Sequence, residues 1–197
     1  MITANSLLYE LYVAYLDARK HKRTTHNQLV FEYHLEEHLL QLCEDILSGK
    51  YEISPSIYFI QKHPVKREIF AGDFRDRIVH HLVYNYISPI FEKTFIYDSY
   101  SCRKYKGTSK GVQRVMKFMR SASENYTKEC YILKLDIQGY FMAINKDILY
   151  QKIQSVLTLN ESSLCVPLAF LLPLLEKIVY NDPTTAGIFK GKKSDYH

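Results

Sequence analysis

The string Leu133-Lys134-Leu135-Asp136-Ile137-Gln138-Gly139-Tyr140-Phe141 holds the residue types most able to do chemistry. Tyr131 to Asp136 alternates as a half-buried strand does, with Tyr131, Leu133 and Leu135 on one side and Ile132, Lys134 and Asp136 on the other. A carboxylate at the end of a strand, followed by a tight turn, presents its oxygens beyond the sheet edge. A hard cation such as Mg²⁺ can be held there by one carboxylate and the phosphates of a substrate. The turn brings the Ile137 carbonyl near as a further oxygen ligand. Phe141, five residues after the aspartate, can then stand under a nucleotide sugar. On spacing alone a plainer alternative stays open: Asp136 caps the turn, and Tyr140 and Phe141 belong to a core.

The charge of the chain suits such a ligand. The net charge is +5, but it is unevenly placed. Residues 1–49 carry 4 basic against 7 acidic side chains, residues 50–120 carry 14 against 6, and residues 121–197 carry 8 against 8. A concentrated basic segment attracts a polyanion, because each neutralised phosphate releases condensed counterions. A solubilising surface is the alternative. With 47% apolar and 24% charged residues the chain reads as globular, and its 197 residues suit one domain or two small ones. No run approaches the roughly 18–20 apolar residues that span a bilayer. The longest, Val166 to Leu175, is interrupted by two prolines. Met1 to Leu8 lacks the basic start of a secretory signal. Cys43, Cys102, Cys130 and Cys165 match no zinc spacing and are expected to be reduced thiols of a cytoplasmic protein.

The elements that must position Asp136 can be read from periodicity. A helix is expected over 5–20, with Leu8, Leu11, Tyr12, Tyr15 and Leu16 at helical spacing, ended by the basic break Lys20 to Arg23. Thr25 and Gln28 are spaced as a capping box before a long helix reaching Leu47, with Gly49 as its left-handed stop. Ile57 to Gln61 and Arg67 to Ala71 read as a hairpin around His63-Pro64. Asp73 can cap a helix that begins at Phe74, turns Ile78, Leu82 and Tyr86 inward and meets Pro89. Thr108 or Ser109 starts the next helix, with Val112, Val115, Met116 and Met119 inward. Helices are expected at 146–157 and 161–180, and the tail from Asn181 has no apolar period.

The Asp136 string resembles the first catalytic-aspartate motif of reverse transcriptases, and Ile144-Asn145-Lys146-Asp147-Ile148-Leu149 fits the helix start that follows it. Upstream, Lys66-Arg67-Glu68-Ile69-Phe70-Ala71 resembles their fingers hairpin, and Phe74-Arg75-Asp76-Arg77-Ile78-Val79-His80-His81 resembles the next motif. Pro89-Ile90-Phe91-Glu92 and the string from Asp98-Ser99-Tyr100-Ser101-Cys102 through Arg103-Lys104-Tyr105-Lys106-Gly107-Thr108 continue in order. The last string is similar to diversity-generating retroelement enzymes, relatives of the group II intron and retron enzymes. The resemblance covers about half the chain, from Tyr51 to Leu149; the tail from Gly187 to His197 looks like the approach to a further motif.

The resemblance implies an RNA-directed DNA polymerase working with Mg²⁺ on template RNA, a DNA primer and deoxynucleoside triphosphates, with an accessory protein as a further partner. It implies that Asp136 binds the metal beside the Ile137 carbonyl and that Phe141 excludes a ribose 2′-hydroxyl. Lys66 and Arg67 would bind the triphosphate, Arg67 the better for its planar fork. Arg75, Arg77, Arg103, Lys104 and Lys106 would lie on or near template backbone. Each has a plainer alternative: Arg77 can pair with Asp73 or Asp76, Lys104 and Lys106 can be solvated, and His80 and His81 can be helix packing and polar rim. The expected fold is α+β, a mostly helical fingers region over 1–125 with a short β-hairpin and the first part of a polymerase palm over 126–197. Two-ion polymerisation needs clustered carboxylates, and the sequence holds no Asp-Asp pair. The expectation is a chain cut before those carboxylates and inactive by itself. A non-catalytic RNA-binding module on the same scaffold, or an interaction protein whose acidic first helices dock a basic partner, are the other classes.

Overall fold

Thr3 is extended and its hydroxyl accepts the Ser6 N–H at 3.2 Å, so α1 (Ala4–Arg19) begins with one orphan donor satisfied. The structure, a computed structural model, describes residues 2–20, 25–63, 66–185 and 187–191. Most of the expected basic break, Pro64 of the expected hairpin turn and the last six residues of the tail lie outside these. Two units form: Met1–Ser88 with Lys146–His197, and Pro89–Asn145. In the first, α1 buries Leu7, Leu11, Ala14, Tyr15 and Ala18. Its inward face is therefore turned from the expected one, and Tyr12 and Leu16 are exposed. The small side chains of Ala14 and Ala18 permit close packing on this face.

The long helix expected after Thr25 is two helices, α2 (His26–Tyr33) and α3 (Leu35–Leu47), separated by His34 at φ −123° and ψ 48°. The break leaves the Phe31 carbonyl free, and Nδ1–H of His38 donates to it at 2.9 Å. The expected capping box does not form. The Thr25 hydroxyl makes no cap bond, and Gln28 is buried instead. Its amide donates to Glu32 at 3.0 Å, where the Tyr15 hydroxyl and Arg19 Nε also converge at 3.0 and 2.7 Å. Glu32 is thus a shared acceptor linking α1 and α2; it satisfies the amide nitrogen of Gln28, while Oε1 of Gln28 is buried without a partner among the described residues. Gly49 closes α3 as expected, at φ 72°.

The hairpin forms as read: β1 (Ser56–Gln61) and β2 (Arg67–Ala71) are antiparallel, with Ile57 opposite Ala71 and Gln61 opposite Arg67. Asp73 then caps α4 (Phe74–Phe91) by accepting the Arg75 N–H at 2.9 Å. Phe74, Ile78, Val79, Leu82, Val83 and Tyr86 of α4 are buried. Asp76 does more than favour the helix dipole. It is fully buried and accepts the Tyr51 hydroxyl at 2.9 Å and the Ser54 N–H at 2.8 Å.

In the second unit, α5 (Thr108–Ala122) forms where expected, yet none of its residues is buried. Val112, Val115 and Met116 are each about half exposed, because nothing among the described residues covers that face. The strand expected over Tyr131 to Asp136 does not form. Tyr131, Leu133 and Leu135 are 91%, 81% and 80% exposed. Alternation marks a segment fit for a sheet, but a strand exists only when its N–H and C=O groups meet another strand. None is offered among the described residues. Gly139, left-handed at φ 61°, leads into the short α6 (Tyr140–Ala143).

The chain returns to the first unit with α7 (Lys146–Leu159) and α8 (Leu168–Tyr180). The single helix expected over 161–180 is broken into one 3₁₀ turn, Glu161–Ser163, and α8. Pro167 is the reason, since it lacks an N–H and disfavours helical backbone at the residue before it. Lys177 ties α8 to the start of the sheet region by donating to the Tyr51 carbonyl and the Glu52 carboxylate. The tail, read as having no period, supplies β3 (Gly187–Phe189), parallel to β1 with Ser56 opposite Gly187. The sheet order is β2-β1-β3. Tyr58 lies between Phe70 and Phe189, with ring centroids at 5.8 and 5.2 Å. A Cβ at Gly187 would stand 2.6 Å from Tyr58 Cδ1. Gly187→Ala should therefore cost about 1–3 kcal/mol, as overpacking does. An unchanged melting temperature for that variant would show that β3 does not pack on Tyr58. Among the described residues no helix is long and apolar enough to cross a membrane.

Candidate nucleic-acid interface

The cations named from sequence meet different fates. Lys66 directly precedes β2 and Arg67 opens it; both are exposed and without an ionic partner among the described residues. They are free to meet an anion. Arg75 is not. Its guanidinium donates to Asp45 at 2.7 Å and the Glu52 carbonyl at 3.0 Å, lies 3.5 Å from Asp76 and sits over the Tyr51 ring at 5.0 Å. These contacts fasten α3, α4 and the approach to β1 together. Arg77 is partly buried, and desolvation lowers its pKa. It makes no ion pair with Asp73 or Asp76 among the described contacts; its backbone N–H donates to the Asp73 carbonyl at 3.0 Å. Burial also pushes His80 and His81 below the ordinary 6.5, so neither adds positive charge at neutral pH.

The second unit carries the remaining cations named from sequence, Arg103, Lys104 and Lys106. Arg103 organises the loop before α5: it pairs with Glu92 at 2.8 Å, donates to the Ile96 and Ser99 carbonyls at 3.0 and 3.1 Å, and lies over Phe95 at 5.2 Å. Lys104 is exposed and has no partner among the described residues. Lys106 donates to the Tyr97 carbonyl, and its ammonium lies 3.8 Å from the Tyr97 ring centroid and 4.9 Å from that of Tyr100. Arg114 binds Asp98 through Nε at 2.9 Å and stacks over Phe118 at 4.5 Å. Its guanidinium holds the Asp98 carboxyl below the usual carboxylate range.

Lys106 and Arg114, with Tyr97 and Tyr100, line a cleft of about 330 Å³ that also takes in Tyr105, Lys110, Gln113 and Lys117. Lys110, Arg114 and Lys117 share one face of α5 at i, i+4 and i+7. That spacing was visible in the sequence but the reading of α5 attended to its apolar stripe. Two loop residues carry left-handed backbone without being glycine, Cys102 at φ 54° and Tyr105 at φ 60°. Such backbone costs roughly 1–2 kcal/mol per residue, and Tyr105 is nevertheless held 88% exposed.

Asp136 is exposed, and Oδ1 accepts the next backbone N–H, that of Ile137, at 3.0 Å. Ile137 and Phe141 share the exposed turn and α6, and Phe141 meets only Tyr140 edge-on at 5.2 Å among the described ring contacts. The other carboxylates of this unit are engaged: Glu92 by Arg103, Asp98 by Arg114, Glu124 by Lys128 and Glu129 by the Tyr131 hydroxyl. Asp136 is thus the carboxylate left without a side-chain partner among the described contacts of the unit. No three His, Cys, Asp or Glu side chains gather to hold a metal among the described residues. The donor set fits one ligand position for Mg²⁺, with the rest left to substrate oxygens and water, and does not fit a two-ion centre. No protein-family model and no curated protein sequence matches this chain.

Proposed function

We propose that the chain is the fingers and first part of the palm of an RNA-directed DNA polymerase of the reverse-transcriptase type. The observation that carries the reading is the Asp136 carboxylate, solvent-facing on its turn and unpaired where its neighbours in the unit are paired. The ordered motifs quoted above support it, as do Lys66 and Arg67 at the entry to β2, exposed and without an ionic partner among the described residues. Asp136 and the Ile137 carbonyl would hold Mg²⁺, which supplies charge stabilisation at the reacting phosphate when bound. Lys66 and Arg67 would grip the triphosphate, and Phe141 would press against the sugar. Lys104, with other cations of the loop and α5, would bear on the template backbone. In the complete polymerase a primer 3′-hydroxyl attacks the α-phosphate and pyrophosphate leaves, so the task of these residues is positioning and charge stabilisation. The four free cysteines suit a reducing cytoplasm.

A second reading is a non-catalytic RNA-binding module. It is favoured by the cleft of loop and α5 residues, whose lining does not include Asp136. The purified 197-residue chain should bind RNA with a steep salt dependence and add no nucleotides to a primer. With about four phosphate contacts the log–log salt slope should be near −3. Salt-insensitive binding would remove the polyanion reading. Clear nucleotide incorporation would show that the missing carboxylates are not needed.

A further inference from the structure

We infer that the cleft between the 97–106 loop and α5 takes a single-stranded stretch of nucleic acid, with an unpaired base on the Tyr105 ring and flanking phosphates on Lys110 and Lys117. The inference rests on the nucleic-acid reading above and narrows it to a kind of strand.

Three observations carry it. Tyr105 is 88% exposed, has no ring partner among the described contacts and stands on left-handed backbone that favours glycine. A ring held largely exposed there, against the preference of its backbone, is a platform. Lys110 and Lys117 line the same cleft without ionic partners among the described residues, one above the other on α5 and about 10 Å apart along its axis. By contrast Lys106 and Arg114 are already bound, to the Tyr97 carbonyl and to Asp98. They shape the wall and leave the two lysines to meet incoming charge. A duplex has its base faces covered by neighbouring pairs, so an open tyrosine ring offers it little. An unstacked base can lie on the ring whatever its identity, and the phosphates on either side then fall to the lysines.

The test is fluorescence anisotropy with the 197-residue chain and three probes: a short oligouridine, the matching oligodeoxythymidine, and a duplex RNA of equal length. Wild type should prefer both single strands to the duplex. Tyr105→Ala and Tyr105→Gly should weaken single-strand binding by roughly 5- to 100-fold, Tyr105→Phe should retain it, and duplex binding should not move in any of them. The glycine variant guards against misfolding, since it suits the left-handed backbone better than tyrosine does. Single-strand binding that survives Tyr105→Gly, or a duplex preference, overturns this inference and leaves the nucleic-acid reading standing. A chain that binds none of the three probes overturns both.

Discussion

Asp136→Ala should abolish primer extension by a polymerase that contains this chain, by roughly 10³-fold or more, while its affinity for template RNA stays within error of wild type. The size follows from the chemistry. A cation held at the reacting phosphate contributes several kcal/mol of charge stabilisation, and each 1.4 kcal/mol or so is a factor of about ten in rate. The selectivity follows from the structure. Asp136 is exposed and its only described bond is to the adjacent backbone N–H, so its removal takes nothing from the core. Surface changes of this kind move stability by about 0.5 kcal/mol at most. The melting curves of variant and wild type should therefore superpose, which separates lost chemistry from lost fold. Extension that persists at the wild-type rate would sink the catalytic role and promote the RNA-binding module. Loss of RNA affinity along with extension would place Asp136 in the binding surface instead.

Asp76→Ala should destabilise the first unit by about 3–5 kcal/mol, the scale for removing one partner from a buried polar network. Asp76 is fully buried and holds the Tyr51 hydroxyl and the Ser54 N–H, with Arg75 at 3.5 Å. Burial, reinforced by Asp76, pushes the Tyr51 hydroxyl well above its ordinary 10.0, so it remains a donor. Without the aspartate that donor is left unsatisfied in the interior. Tyr51→Phe removes the donor and leaves Asp76 its Ser54 N–H, so it should cost less, about 1–2 kcal/mol. Thermal denaturation should show a fall of about 10 °C for Asp76→Ala and a smaller one for Tyr51→Phe. The reverse order would mean that Asp76 is not the hub of this network. The result bears on function because Arg75, placed by resemblance near the template, is bound into the same cluster through Asp45 and Tyr51.

How far the sequence could be read depended on whether an element is made by local or distant contacts. The β1–β2 hairpin and the Asp73 cap were legible because a breaker, a register and a side-chain oxygen all lie within a few residues. The two helices in place of one after Thr25 were not. The break at His34 is compensated by His38 reaching back to the Phe31 carbonyl, a bond no periodicity encodes. β3 was missed because three residues of a polar tail carry no alternation, and their partner β1 lies far upstream. Arg75 and Arg103 look like free cations in a string of letters; Asp45 and Glu92, which bind them, are chosen by the fold.

Local chemistry, then, settled the helical character of the chain, its hairpin, its uneven positive charge and the placing of Asp136 beside a glycine turn, because each depends on neighbours along the backbone. Packing alone decided which cations remain open to a ligand, that Asp76 joins the interior, and that Tyr131 to Asp136 meets no partner strand among the described residues. A charge is free or bound, and a strand formed or not, according to partners brought from elsewhere in the chain, and sequence spacing carries no record of those distances.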